Sequence, residues 1–196
     1  MLKSKFKEFM LNEQPNIVLS KEEINYAKKQ QLITEEMIVT EKNDASLFND
    51  AYIERSNKET EELLAEESAE FLNQPINYLN THKNEFIYIE ASRFDIVSTD
   101  SLCLEVDDVF GTYEAMLGLK LQKKHEKTIK SFLTNELAGE AKFSLLFSQA
   151  DGLWEFNFAL NGVNGFHEEM TISEACKLVY LFLIKLIWAV EEKGNK

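Results

Sequence analysis

The sequence predicts an α+β fold: an antiparallel sheet of about five strands, covered on one face by helices and preceded by an N-terminal helical segment. Three observations carry this. Ala141–Gln149 and Leu153–Asn161 each alternate along the chain and flank an Asp-Gly turn. Leu178 to Val190 is apolar at every position but Lys185. Phe86–Phe94 carries apolar residues on both faces, Leu102–Val106 and Thr112–Leu121 alternate with period two, and from Gln122 the spacing becomes helical. Period two belongs to a strand with one face inside, and period 3.6 to a helix. Grouped strands with helices between them give an antiparallel sheet covered on one side.

Met1–Gln14 is locally basic, with Lys3, Lys5 and Lys7, and places Leu2, Phe6, Phe9 and Met10 at helical spacing. That spacing favours a short helix packed on its own domain over an arm docked on a partner or membrane. Pro15 ends it. Ser20-Lys-Glu-Glu23 is a capping box opening a helix to about Gln31. Thr40–Asp44 reads as a loop. Residues 41–70 hold ten acids and three bases. Thr60–Leu72 reads as a helix, with a short helical turn over Ile76–Lys83 after Pro75. Phe86–Phe94, Leu102–Val106 and Thr112–Leu121 read as three strands. Gln122–Leu137 is a helix with Ile129, Phe132, Leu133 and Leu137 as its stripe, ended by Gly139.

The last third is the most legible. A two-residue turn at Asp151-Gly152 pairs Phe147 with Phe156, Leu145 with Phe158 and Phe143 with Leu160. The other face then pairs Ser148 with Glu155, Leu146 with Asn157 and Ser144 with Ala159. One face is aromatic and the other mostly polar, and a one-residue slip would mix them. Thr171 and Glu174 form a second capping box. The helix behind it is apolar nearly all round, which marks a core helix or a membrane span. A span needs about 20 apolar residues, so a 13-residue run is expected to be a core helix. The organisation expected is a helical segment over 1–80 and an α+β domain over 81–196.

A net charge of −13 argues against nucleic acid and anionic membrane as partners, since both need a basic footprint. Only Arg55 and Arg93 are arginines, and arginine is the preferred bidentate ligand for phosphate. Two cysteines, Cys103 and Cys176, are too few for a disulfide scaffold and are expected to be buried thiols. No signal-peptide run opens the chain, so a cytoplasmic location is expected. The Lys- and Asn-rich, Arg-poor composition points to an AT-rich bacterial or phage genome.

No HExxH, GxxxxGK[ST] or GxSxG occurs. Glu66-Glu67-Ser-Ala-Glu70 suggests the paired glutamates that hold Mg²⁺ in all-α nucleotide pyrophosphohydrolases, but no second acidic helix pair follows; a solvated acidic face is expected. His82 lies in a polar loop and His125 beside an apolar stripe. No catalytic residue, metal ligand or cofactor is expected. The alternative is a small enzyme using His167 with Glu168 and nearby carboxylates such as Glu105, Asp107 and Asp108, with or without a divalent metal. The reading preferred is a non-catalytic protein-binding module: an acidic inhibitor, an immunity protein or a secretion-chaperone-like protein. The predicted α-β-β-β-α-β-β-α order resembles the small acidic, usually dimeric secretion chaperones. A protein partner of basic character is expected, with a homodimer as a further option. The partner-binding residues expected are Leu146, Glu155, Asn157 and Met116, on the solvent face of the sheet, where Leu146 interrupts a polar surface.

Overall fold

A computed structural model describes residues 1–41, 45–139 and 143–194. The chain divides into two compact units, Met1–Asp44 and Ala45–Lys196. In the first, α1 (Leu2–Asn12) buries Leu2, Phe6 and Met10 of the stripe its spacing predicts, while Phe9 is half-buried. Strands β1 (Asn16–Leu19) and β2 (Ile38–Glu41) pair in parallel, and a parallel pair needs a crossover. Here α2 (Lys21–Lys29) supplies it. Its capping box forms as expected: the Ser20 N–H donates to Glu23 Oε2 at 2.6 Å and the Glu23 N–H to Ser20 Oγ at 3.3 Å. Phe6 meets the Tyr26 ring edge-on at 5.5 Å. Thr40 and Glu41, expected in a loop, end β2; residues 42–44 lie outside the described residues.

The second unit carries a seven-stranded antiparallel sheet, two strands wider than expected. Its strands are β3 (Tyr52–Asn57), β4 (Leu63–Glu67), β5 (Glu85–Glu90), β6 (Ser101–Val106), β7 (Tyr113–Leu119), β8 (Phe143–Ser148) and β9 (Leu153–Ala159), in the order β4-β3-β5-β6-β7-β9-β8. The helices are α3 (Tyr78–Thr81), α4 (Ser92–Ile96), α5 (Glu126–Glu136) and α6 (Ile172–Gly194). On one face Ile53, Ile87, Leu104, Ala115, Phe156 and Phe158 are buried. Phe182 of α6 stacks on Phe158 at 5.1 Å and meets Phe132 of α5 at 5.4 Å, which fixes the helices on that face. The alternate residues form an open face. One row crosses all seven strands: Glu66, Glu54, Tyr88, Cys103, Met116, Asn157 and Ser144.

Four expectations change. The helix over Thr60–Leu72 is instead β4 and a 3₁₀ turn at Ala69–Asn73. Asn57 Oδ1 accepts the N–H groups of Glu59 and Thr60, Glu61 takes φ +58°, and a tight hairpin returns the chain onto β3. Sheet pairing here overrides the helix propensity of glutamate and leucine. Glu66 and Glu67 therefore point to opposite faces. Second, the strand from Phe86 stops at Glu90 and α4 takes Phe94. Third, the C-terminal hairpin pairs Phe147 with Trp154, Leu145 with Phe156, Ser144 with Asn157 and Leu146 with Glu155. The Gly152 N–H donates to the Ser148 carbonyl at 3.0 Å and Ser148 Oγ to Asp151 Oδ2 at 2.7 Å, closing a four-residue loop in place of the two-residue turn. The register moves by two, so every residue keeps its expected face. Ala141 and Lys142 lie outside the described residues. Fourth, residues 1–80 are not one helical segment: the described residues among them include four strands, and the compact units meet at 44/45.

The Thr171–Glu174 box caps α6 as expected, with the Thr171 N–H donating to Glu174 Oε2 at 2.7 Å. Twelve residues of α6 are buried, while Lys185 reaches solvent. No helix among the described residues is long and apolar enough to cross a membrane.

Candidate functional site

The β6–β7 hairpin builds the most developed site on the open face. Asp107 opens the turn. Its carboxylate accepts the N–H groups of Val109 at 2.9 Å and Phe110 at 2.6 Å, and Gly111 at φ +67° turns the chain back. This leaves Val109 and Phe110 projecting, 81% and 64% exposed. Beneath them lies a cavity of about 690 Å³. Glu105, Glu114 and Thr112 line one side, Met116 and Asn157 the sheet, and Phe143, Ala138 and Asn161 the far side. Asn161 also ties the walls together: its Oδ1 accepts the Tyr113 N–H at 2.8 Å. The volume lies within the range of small-ligand sites, about 300–1,000 Å³.

Glu105 and Glu114 face each other directly across β6 and β7. Like charges so placed repel. Burial pushes both carboxyls above their ordinary range, and the neighbouring acids push them further: Asp108 and Asp107 act on Glu105, and Asp107 and Glu105 on Glu114. Their counter-charges are unequal. Lys58, carried in by the β3–β4 hairpin, donates from Nζ to the Val106 carbonyl and stands 4.0 Å from Glu105 and 3.7 Å from Asp108. Glu114 has the Thr112 hydroxyl, which donates to its Oε1 at 2.8 Å, and no salt bridge to a cation among the described residues. The site is thus a half-neutralised acidic cup with an apolar lip.

Perturbed carboxyls in a cleft mark a candidate functional site. Linkage gives a check. A carboxyl raised above its unfolded value binds protons in the folded state first, so its contribution to stability falls as pH rises from the ordinary carboxyl range through the raised pKa. Glu114→Gln is therefore expected to raise stability at neutral pH by about 0.5 kcal/mol, taken from cross-strand like-charge pairs, or roughly 1–2 °C in Tm. Unchanged or lower stability in a urea titration would mean that Glu114 is adequately compensated by its surroundings.

The four residues expected from the sequence all lie on this open face. Met116 pairs directly with Asn157, and both line the cavity. Leu146 pairs with Glu155 one row further from the hairpin, outside the cavity. Glu105 and Asp107, taken from the sequence only as spare carboxylates, belong to the site itself. Glu114 goes unmarked in the sequence, although the alternation of both strands puts it beside Met116. The signal was the hairpin register; once Val106 is set opposite Tyr113, Glu105 must face Glu114.

His167, Glu168 and Glu169 are exposed and lie off the cavity wall. Glu168 is felt by Tyr113, whose hydroxyl is pushed up by burial first and by that charge second. Among the described residues no group of three or more His, Cys, Asp or Glu side chains is arranged to hold a metal ion. Both cysteines are free. Burial pushes the Cys103 thiol up to about 11 and the Cys176 thiol to about 12, so neither is a thiolate nucleophile near neutral pH. No family model, curated protein or solved structure matches this chain.

Proposed function

We propose that this chain is a non-catalytic protein-binding module whose open sheet face receives a basic segment of a protein partner. The observation that carries this reading is the opposed pair Glu105 and Glu114, of which Glu105 has the Lys58 ammonium nearby and Glu114 has a hydroxyl. A lysine or arginine side chain entering the cup relieves the repulsion and completes the neutralisation. Met116 and Phe143 offer apolar surface to its methylene stem, and the exposed Phe110 ring offers an anchor at the lip. Snorkelling side chains bury their stems and keep the charge at a polar end in this way. The net charge of −13 steers a basic partner in and excludes acidic ones.

The experiment is an affinity capture from native lysate at two salt concentrations, read by mass spectrometry. Three forms are compared: wild type, Glu105→Gln/Glu114→Gln, and Glu59→Gln/Glu62→Gln. The last removes the same charge from an exposed turn. A basic partner held by wild type and the turn variant, and lost from the cup variant, supports the reading. The partner is then titrated calorimetrically. Breaking a largely desolvated charge contact costs about 2–5 kcal/mol, so the cup variant is expected to bind at least about 30-fold more weakly. Because both carboxyls sit above their ordinary range, wild-type affinity falls as pH drops through those raised values, before exposed carboxylates protonate. Equal loss in both variants would reduce the effect to net charge, and retention in the cup variant would remove the cup from the interface.

A further inference from the structure

The covered side of the sheet holds a pair of glutamates that is already bridged. Glu67 of β4 and Glu85 of β5 flank β3, and Arg55 joins them: its Nε donates to Glu67 at 2.8 Å and its Nη1 to Glu85 at 2.9 Å. The same guanidinium lies 5.8 Å from the Phe71 ring and 5.9 Å from the Tyr78 ring. The cup sets a second pair, Glu105 and Glu114, opposite each other on β6 and β7, where side chains start about 4.5–5.5 Å apart. Glu105 keeps 25% of its side-chain surface in water, as Glu67 does. Phe110 and Met116 line the cavity beside the pair.

The lysine already at the cup behaves differently from Arg55. Lys58 Nζ donates to the Val106 carbonyl and stays 4.0 Å from Glu105 and 3.7 Å from Asp108. It hydrogen-bonds the backbone and offsets its acids from a distance. An ammonium is a compact, strongly hydrated point charge. A guanidinium holds its N–H donors in a rigid plane, reaches two carboxylates at once, sheds water more readily and stacks on an aromatic face. The cup offers the surroundings that Arg55 has, two carboxylates side by side and a ring. On the reading of the cup as the site of a basic segment, we propose that the residue entering it is an arginine, whose guanidinium bridges Glu105 and Glu114 with its plane against Phe110. Lys58 limits the cup to one such cation, because it already offsets part of the charge of Glu105.

The test uses blocked pentapeptides that differ only in a central arginine, lysine or citrulline. Each is titrated into the isotope-labelled full chain at constant ionic strength, and the backbone amides are followed by NMR. Titration to about 20 mM reaches the weak affinities of a single anchoring residue. The arginine peptide is expected to shift the Glu105, Thr112 and Glu114 amides and to bind at least about tenfold more tightly than the lysine peptide. Citrulline keeps the shape without the charge and is expected to leave them unmoved. Glu114→Gln should weaken the arginine peptide at least about tenfold. Phe110→Ala, at an exposed position, should abolish the preference for arginine and leave lysine binding as it was. Equal binding of the arginine and lysine peptides at the cup overturns the arginine assignment and leaves the basic-segment reading standing. Failure of both peptides to move the cup amides overturns both. Arginine binding unchanged in Glu114→Gln overturns the bridge, and a preference that survives Phe110→Ala overturns the stacking.

Discussion

Phe158→Ala is expected to destabilise the second unit by about 4 kcal/mol, in the range measured for phenylalanine truncations in cores. The side chain is fully buried. Its ring stacks on Phe156 at 4.7 Å and on Phe182 of α6 at 5.1 Å. Its backbone lies between Ala115 of β7 and Phe143 of β8. Removing the ring opens a void on the line where α6 meets the sheet, and a close-packed interior collapses around such a void only in part. In a chain of this size the melting temperature should fall by roughly 10 °C. Leu146→Ala, at an exposed position on the opposite face of the sheet, should stay within about 0.5 kcal/mol of wild type. Urea unfolding of the two variants separates the outcomes; a cost below about 1 kcal/mol for Phe158→Ala would mean that α6 does not depend on this stack.

Arg55→Leu should cost about 2–3 kcal/mol. Arg55 rises from β3 on the covered side and binds three groups. Its Nε donates to Glu67 at 2.8 Å, and its Nη1 to the Tyr78 hydroxyl at 2.8 Å and to Glu85 at 2.9 Å. Tyr78 donates to the same Glu85 oxygen at 3.0 Å, and His82 stacks on the Tyr78 ring at 4.0 Å. Burial works against the Arg55 cation, and the hydrogen bonds it donates to Glu67 and Glu85 more than offset it. Removing the cation leaves Glu85, with a side chain 9% exposed, with the Tyr78 hydroxyl but no cation to offset its charge. Breaking a fully buried pair costs about 3–5 kcal/mol; Arg55 and Glu67 keep 22% and 25% of their surface in water, which lowers the expectation. The double variant Arg55→Leu/Glu85→Gln should recover part of the loss. No recovery would assign the cost to packing against Phe71 and Tyr78 rather than to the stranded charge. The change also reaches the cup, because Lys58 stands three residues beyond Arg55 on the hairpin that this network holds.

How much of this was legible depends on how local the cause was. Both capping boxes, Ser20–Glu23 and Thr171–Glu174, follow from residues three apart and form as expected. The stripe of α1, the burial of α6 and the alternation in β6, β7, β8 and β9 follow from side-chain period, which needs no partner to be read. The face of Leu146, Glu155, Asn157 and Met116 was fixed the same way. Their partners were not. In the C-terminal hairpin the loop chemistry of Ser148 and Asp151 moved the register by two, a shift to which period two is blind.

The amino-acid order thus determined the faces of β6, β7, β8 and β9, where the capped helices α2 and α6 begin and that the molecule is α+β. Tertiary structure decided the rest. Leu63–Glu67 became a strand because β3 offered its edge, and the return of that hairpin brought Lys58 to Glu105, 47 positions away. Glu105 and Glu114 met because the 107–112 turn set their register. Each of these depends on the pairing of distant backbone, where hydrogen bonds and burial shared across strands outweigh local propensity. The acidic cup exists only once that pairing is complete.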